Sequence, residues 1–542
     1  MNADLRLGRF HALVLFAALL IASAACASRA GSVRDSFDAR HPLVVLLVVD
    51  QMRAQYLEDY GDRFTAGLGR LMREGAWFRR AAYPYLNTVT CAGHSTIGTG
   101  ALPYRHGMVL NAWWDRQSAR LVSCTGDAST KAIGYMGAPT GGDSAALLLL
   151  PPLGQQIREQ PGGRSVAMSL KARSSITLVG RDPTAVTWFD DRAGWTTSSA
   201  FTAGPVDWVQ RFIAENPVER DRNKVWDRLL PADAYRGDDA GKGERAPAGW
   251  TTTFPHQLGE PAAQFLAQWQ RSPFADAYLA RFAMNAIDTL ELGRGLGADF
   301  IGVSFSTLDL VGHQYGPRSH EVQDVLFRLD REIGALLDHL DARLGRNGYV
   351  LALSADHGVA DIPEQTGGGR ESSTAISTAI DKALVPLFGA GKYVVRSEYT
   401  DVYLAPGIYE KVRQSPEASR AVIAAIAALP GMAHAFLSDE VAGADARTSD
   451  DPVRRAAALS YHPGRSGDLI VVPDQNWLLS SSATTHGTMY PYDQRVPVIF
   501  FGAGVKAATY DTPATPADIA PTLAGLAGVA FRQTDGSPLL RR

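Results

Sequence analysis

The chain has 542 residues, 46% of them hydrophobic and 20% charged, and its 53 basic and 56 acidic side chains leave a net charge of −3. That length exceeds what one small core needs, so two domains or one large decorated domain are expected, and a disulfide miniprotein or low-complexity chain is excluded. The near-neutral balance supplies no global basic field for nucleic acid or anionic lipid, so any anionic substrate is held locally.

At the N-terminus, Arg6 and Arg9 precede an apolar run from Ala12 to Ala22 and then Ser23-Ala24-Ala25-Cys26-Ala27. This is the charged, apolar and small-residue order of a secretory signal, and the run is shorter than the ~20 residues a spanning helix needs. Residues 1–26 are therefore expected to be a signal peptide, with a periplasmic or secreted product and no transmembrane segment. Ser-Ala-Ala-Cys also resembles a bacterial lipoprotein box, which makes Cys26 a candidate lipid attachment point. The other two cysteines, Cys91 and Cys124, then meet an oxidising compartment and are expected to pair.

From residue 42 onward, short apolar runs alternate with helical periodicity. Leu43 to Val49 is continuously apolar, as in a parallel strand covered on both faces, and the runs 301–305, 349–353, 469–472 and 498–501 read the same way. Between them, Leu279, Phe282, Ala283, Ala286, Ile287 and Leu290, and then Val322 through Leu340, carry apolar residues at helical spacing. The pattern predicts an α/β fold with a doubly wound, mostly parallel central sheet flanked by helices. Two stretches break the rhythm, residues about 190–270 and 365–465, and are expected as insertions forming a cap or rim over the site.

In a doubly wound sheet ligands bind outside the carboxyl ends of the strands. Asp50 directly follows the first run, Asp309 and His313 follow Phe305, Asp356 and His357 follow Leu353-Ser354, and His486 precedes the run at 498. Three Asp and three His make two three-ligand oxygen and nitrogen sets, each with an open position, as catalytic zinc requires. Asp309 and His313 stand at i and i+4, so one helical turn can present both. The stretch from Asn87 to Gly100 (NTVTCAGHSTIGTG) reads as a helix N-terminus that favours an anion, and a hydroxyl there can become a nucleophile beside a metal. By chemistry alone Thr90, Cys91 and Ser95 are rivals for that role. Farther on, Lys171 and Arg173 at i and i+2 can face one phosphate if the segment is extended.

These stretches resemble the alkaline phosphatase superfamily over residues about 42 to 527, and more narrowly the secreted, phosphate-irrepressible bacterial alkaline phosphatases with a threonine nucleophile, of the Sphingomonas type. The match is carried by VVDQMR (48–53), TCAGH (90–94), NAWWD (111–115), KAR (171–173), DLVGH (309–313), ADHG (355–358) and THG (485–487). The resemblance implies two Zn²⁺, one held by Asp50, Asp356 and His357 and also binding the Thr90 oxygen, the other by Asp309, His313 and His486. It implies phosphate monoester hydrolysis through a phosphothreonine at Thr90, with Asn111, Lys171 and Arg173 binding the phosphoryl oxygens. Nucleotide pyrophosphatases and phosphodiesterases on this scaffold generally lack the Lys/Arg pair, which makes that activity the alternative reading. A non-catalytic exported metal- or phosphate-binding lipoprotein is the alternative from another class. Sulfatases carry a C/S-x-P-x-R pattern, whereas Cys91 is followed by Ala92-Gly93-His94. An additional Ca²⁺ in the acidic insertions, near Asp238-Asp239, is left open, and no oligomeric state or specific nucleic-acid partner is implied.

Overall fold

A computed structural model describes residues 41–532 and 534–541; the signal segment and Cys26 lie outside the described residues. The central sheet has ten strands: β1 (Leu43–Val49), β2 (Ala76–Ala81), β3 (Ala132–Gly134), β4 (Arg164–Ser169), β5 (Ala185–Asp190), β6 (Gly194–Ser198), β7 (Asp299–Phe305), β8 (Tyr349–Ser354), β9 (Val498–Gly502) and β10 (Ala508–Ala514). Their spatial order is β10-β2-β9-β8-β1-β7-β4-β5-β6-β3. The five central strands, β8 through β5, run parallel, while β9 against β8 and β2, and β6 against β5 and β3, run antiparallel. The sheet is thus α/β and parallel at its heart but mixed toward both edges.

All seven residues of β1 are buried, and they divide by parity. Leu43, Val45, Leu47 and Val49 enter one apolar cluster, whereas Val44, Leu46 and Val48 enter another on the opposite face. A strand with period-2 side chains that is apolar throughout must be covered on both sides. The periodic helices do this covering. In α3 (Pro273–Thr289) Leu279, Phe282, Ala283, Ala286 and Ile287 are buried, and in α5 (His320–Leu344) so are Val322, Val325, Leu326, Leu329, Ile333, Leu336, Leu337 and Leu340.

One strand expected in this sheet lies elsewhere. Leu469–Pro473 pairs antiparallel with Asp401–Leu404 and Met432–Leu437 in a separate four-stranded sheet, whose edges are Met432–Leu437 and Val394–Glu398. That sheet and the helices Ser373–Phe388 and Pro416–Ala427 bury their own apolar cluster. An apolar run reads alike in either sheet, and only its partners separate the two.

The topology brings four loops to one edge. Parallel β1, β7 and β8 end together, with Val48 paired to Ser304 and to Ser354. Because β9 runs antiparallel, its first residue Val498 pairs with Ser354, the last residue of β8. The loop carrying His486 therefore opens at the same edge as Asp50, Asp309 and Asp356.

Candidate metal centre and nucleophile

All six metal-type residues expected from the sequence converge. Oxygens or nitrogens of Asp50, Asp356 and His357 lie within 4.8 Å of one another, as do those of Asp309, His357 and His486. The first set is the triplet expected. In the second, His357 falls where His313 was expected, because His357 and His486 stack with ring centroids 3.4 Å apart. His313 stands one helical turn along α4 (Thr307–Tyr315), its Nε2 3.2 Å from Asp309 Oδ1, and is the most exposed of the group at 26%.

The histidines share one orientation. His357 Nδ1 faces the Gly358 carbonyl at 2.9 Å, His486 Nδ1 the Thr88 carbonyl at 2.8 Å and His313 Nδ1 the Thr484 carbonyl at 3.0 Å. A carbonyl only accepts, so each Nδ1 carries a proton, and each Nε2, when its ring is neutral, turns a lone pair inward. Those lone pairs meet three carboxylates, and among the described residues Asp50 Oδ1 and Asp356 Oδ2 are buried without a hydrogen-bond partner. Convergent lone pairs repel unless a cation lies among them, so this donor set fits divalent metal ions.

The titration of these groups carries the same demand for positive charge. Burial, and then the charges of Asp309 and Asp356, push Asp50 up to about 6. Burial also opposes ionisation of Asp309, but Lys171 and His313 outweigh it and hold that carboxyl well below the usual range. His357 and His94 do the same for Asp356. Burial disfavours a charged His357, yet Asp356, Asp50 and Asp309 push it up to about 9. Burial and the neighbouring His357 and His313 hold His486 well below its ordinary value.

Thr90 is the first residue of helix α1 (Thr90–Thr99), whose end has no cap from the Val89 side chain. Its Oγ1 lies 3.3 Å from His357 Nε2, and the residue is buried. Cys91, the rival next to it, is bonded to Cys124, as expected, and a bridged sulfur is no nucleophile. Asn111 turns its Oδ1 onto the Cys91 backbone N–H at 2.9 Å, which leaves its NH₂ facing away from the helix.

Lys171 and Arg173 do not share one extended segment: Lys171 is extended, with φ −130° and ψ 133°, but Arg173 is helical. Lys171 caps helix α2 (Ala172–Val179) and Arg173 is in its first turn, directly after β4. Lys171 is no solvated surface cation: it is 9% exposed, with Nζ 2.6 Å from Asp50 Oδ2 and bonded also to Asp309 Oδ2. The ammonium thus bridges the two ligand sets, and Asp309 and Asp50 overcome burial to raise its pKa. Arg173 Nε is buried without a hydrogen-bond partner among the described residues.

Three supporting residues carry no signal in a single sequence. Gln51 has φ +70° and spans the centre: its backbone N–H reaches Asp356 Oδ1 at 3.1 Å and its Nε2 donates to Asp309 Oδ1 at 2.8 Å. Gly312 is what admits that side chain, since a Cβ there would stand 1.9 Å from Gln51 Oε1. His94 is fully buried; its Nδ1 lies 3.0 Å from the Thr90 carbonyl and 3.1 Å from Asp356 Oδ2, and Ser304 Oγ meets its Nε2 at 2.8 Å. Tyr399, with φ +55° in the turn between two strands of the smaller sheet, meets Thr485 Oγ1 at 2.7 Å, next to His486. In the acidic insertion, Asp239 is engaged by Arg228 at 2.7 Å and His320 at 3.4 Å.

Comparison with known proteins places this geometry. Residues 44–495 match the family model of type I phosphodiesterases / nucleotide pyrophosphatases. The chain is 30% identical to alkaline phosphatase PhoV of Synechococcus elongatus, covering 92% of each chain. To alkaline phosphatase PafA of Elizabethkingia meningoseptica it is 29% identical, covering 92% of this chain and 94% of that one. To alkaline phosphatase PhoK of a Sphingomonas species it is 29% identical, covering 89% and 88%. The crystal structure of wild-type PafA superimposes with a TM-score of 0.84 at 28% identity, over 92% of this chain and 98% of that one.

Proposed function

The chain belongs to the type I phosphodiesterase / nucleotide pyrophosphatase family, and on that premise we propose that it is an alkaline phosphatase, a hydrolase that releases inorganic phosphate from monoesters. The family name covers diesters as well, so the substrate class rests on the site. The observation that carries it is the cationic pair: Lys171 at the junction of the two ligand sets and Arg173 with a buried, unpartnered Nε. A monoester presents three charged non-bridging oxygens and keeps charge on them in its loose transition state. Two cations, with the Asn111 amide as a further donor, suit that dianion better than a diester, which has one fewer such oxygen.

Asp50, Asp356 and His357 would hold one Zn²⁺, and Asp309, His313 and His486 the other. When bound, such ions supply Lewis-acid stabilisation of negative charge on oxygen. The chain's own residues do the rest. Thr90 Oγ1 gives up its proton to solvent and attacks phosphorus in line; the bond from phosphorus to the ester oxygen breaks, and the leaving oxygen takes a proton from solvent and departs as the alcohol, leaving a phosphothreonine. Water then attacks phosphorus from the vacated side, the Thr90–phosphorus bond breaks and phosphate leaves. Asn111 Nδ2, Lys171 and Arg173 hold the non-bridging oxygens through both steps, and His94 Nδ1 holds the Thr90 carbonyl. The ligands act deprotonated, which sets an alkaline pH optimum.

The N-terminal segment supports export to the periplasm or medium, and Cys26 is the candidate lipid attachment point should the segment be processed as a lipoprotein signal. Among the described residues no helix is long and apolar enough to cross a membrane. The test is kcat/KM for p-nitrophenyl phosphate against bis-p-nitrophenyl phosphate on metal-loaded protein, with a metal count on the same sample. Strong monoester preference with about two zinc ions per chain is expected. Diester preference would move the chain to the phosphodiesterase branch with the same scaffold, metals and Thr90.

A further inference from the structure

The hairpin formed by Ala112–Asp115 and Arg120–Ser123 begins at Asn111 and ends at Cys124, with Ala112 opposite Ser123. Its outer residues Arg120 and Leu121 are exposed, and a ribbon of two four-residue strands is marginal on its own. What ties it down is at its base. Cys124 is bonded to Cys91 in the first turn of the nucleophile helix, immediately after Thr90. Both cysteines are fully buried, in a cluster with Met108, Val109, Leu110 and Trp113.

Asn111 is gripped from both ends of that bridge. Its main-chain carbonyl accepts the Cys124 N–H at 3.0 Å, and its side-chain Oδ1 accepts the Cys91 N–H at 2.9 Å. An N–H can only donate, so the carboxamide cannot be flipped and its NH₂ is directed away from the helix end. Asn111 thereby serves as the missing cap of α1 and carries two free donors beside Thr90.

We propose that the Cys91–Cys124 bridge is a positioning element of the phosphoryl-binding site, holding Asn111 so that Nδ2 meets a phosphate oxygen next to Thr90. This rests on the reading of Asn111 as a phosphate ligand. The oxidised state of the exported protein then sets the strength of phosphate binding, and the bridge acts through one side chain. A crosslink also stabilises the fold as a whole, so melting temperature alone does not separate the two roles, whereas coupling to Asn111 does.

The experiment is a double-mutant cycle on the full-length, metal-loaded protein. It compares wild type, Cys91→Ser/Cys124→Ser, Asn111→Ala and the triple variant, reading the inhibition constant of inorganic phosphate, kcat/KM for p-nitrophenyl phosphate and metal content. Opening the bridge is expected to weaken phosphate binding about tenfold with the metals retained, the scale of one hydrogen bond to a charged group. In the Asn111→Ala background it is expected to cost less than about twofold, because the group it positions is gone. Losses that multiply in the triple variant, or wild-type phosphate binding without the bridge, overturn the proposal. If Asn111→Ala itself leaves phosphate binding unchanged, the reading of Asn111 fails first. Should the serine pair not fold, Cys91→Ala/Cys124→Val completes the same cycle with an apolar filling of the same volume.

Discussion

Gln51→Ala separates the two ligand sets. The Gln51 side chain gives Asp309 Oδ1 a hydrogen bond of 2.8 Å, and both groups are buried. A bond to a charged acceptor contributes about 1.5–3 kcal/mol, and at about 1.4 kcal/mol per decade its loss corresponds to roughly 10- to 100-fold. Comparable losses in metal affinity follow from removing groups that orient a ligand. Asp356, by contrast, is held by the Gln51 backbone N–H at 3.1 Å, which alanine keeps. Competition of zinc with a chromophoric chelator is expected to show one ion weakened about 10- to 100-fold and the other changed by less than about threefold. Gln51→Gly provides the internal control. At φ +70° a non-glycine residue costs about 1–2 kcal/mol, so the glycine variant should match or exceed the alanine variant in denaturant stability, against the usual glycine penalty of about 0.5–1 kcal/mol. Equal weakening of both ions, or none, refutes the positioning argument, and a glycine variant less stable than the alanine one refutes the strain argument.

Arg173→Ala is expected to lower kcat/KM for monoesters by about 100-fold and for diesters by much less, since a bidentate charge-assisted contact to the dianion is lost; equal losses on p-nitrophenyl phosphate and its bis-ester refute the substrate assignment. Thr90→Ala should abolish the acid-stable phosphoenzyme while both metals stay bound, and a phosphoryl group trapped on any other residue refutes Thr90 as nucleophile. Away from the metals, burial first, and then the charge of Asp239, pushes Glu321 up to about 8, with its Oε1 2.9 Å from His256 Nε2. The folded value lies above the ordinary 4.5, so the stability linked to this proton is complete below pH 4.5 and is lost as pH rises through about 8, at up to about 1.4 kcal/mol per pH unit. Glu321→Gln removes that slope: urea midpoints of variant and wild type should converge at low pH and diverge in the variant's favour toward pH 9, and a constant offset refutes the buried protonated carboxyl.

What the sequence made legible follows from where the chemistry stands along the chain. Asp50, Asp356, Asp309 and His313 sit just past apolar runs that are strands, and strand ends in such a sheet share an edge, so their convergence could be argued without coordinates. Gln51, His94 and Tyr399 act through bonds to residues 258, 210 and 86 positions away, and two of the three stand at left-handed backbone angles that no local pattern announces. The Lys171/Arg173 pair was legible as chemistry but not as geometry, because a strand-to-helix junction and an extended segment have the same residue types at i and i+2.

The segment 365–465 is the sharper case. Its sequence offers only an interruption, yet its turn at Tyr399, Thr400 and Asp401 reaches the centre at two points. Tyr399 meets Thr485, beside the ligand His486. Thr400 Oγ1 donates to Asn87 Oδ1 at 2.7 Å, and Asp401 Oδ2 accepts from Asn87 Nδ2 at 3.4 Å, three residues before Thr90. His486 in turn donates to the Thr88 carbonyl. The segment leading into Thr90 and the loop of His486 are therefore both held by one turn from outside the central sheet. A residue in a costly backbone conformation persists only where its surroundings over-determine it. That is the physical reason a segment with its own sheet, helices and apolar cluster can be as much a part of the site as the strand ends that advertise it.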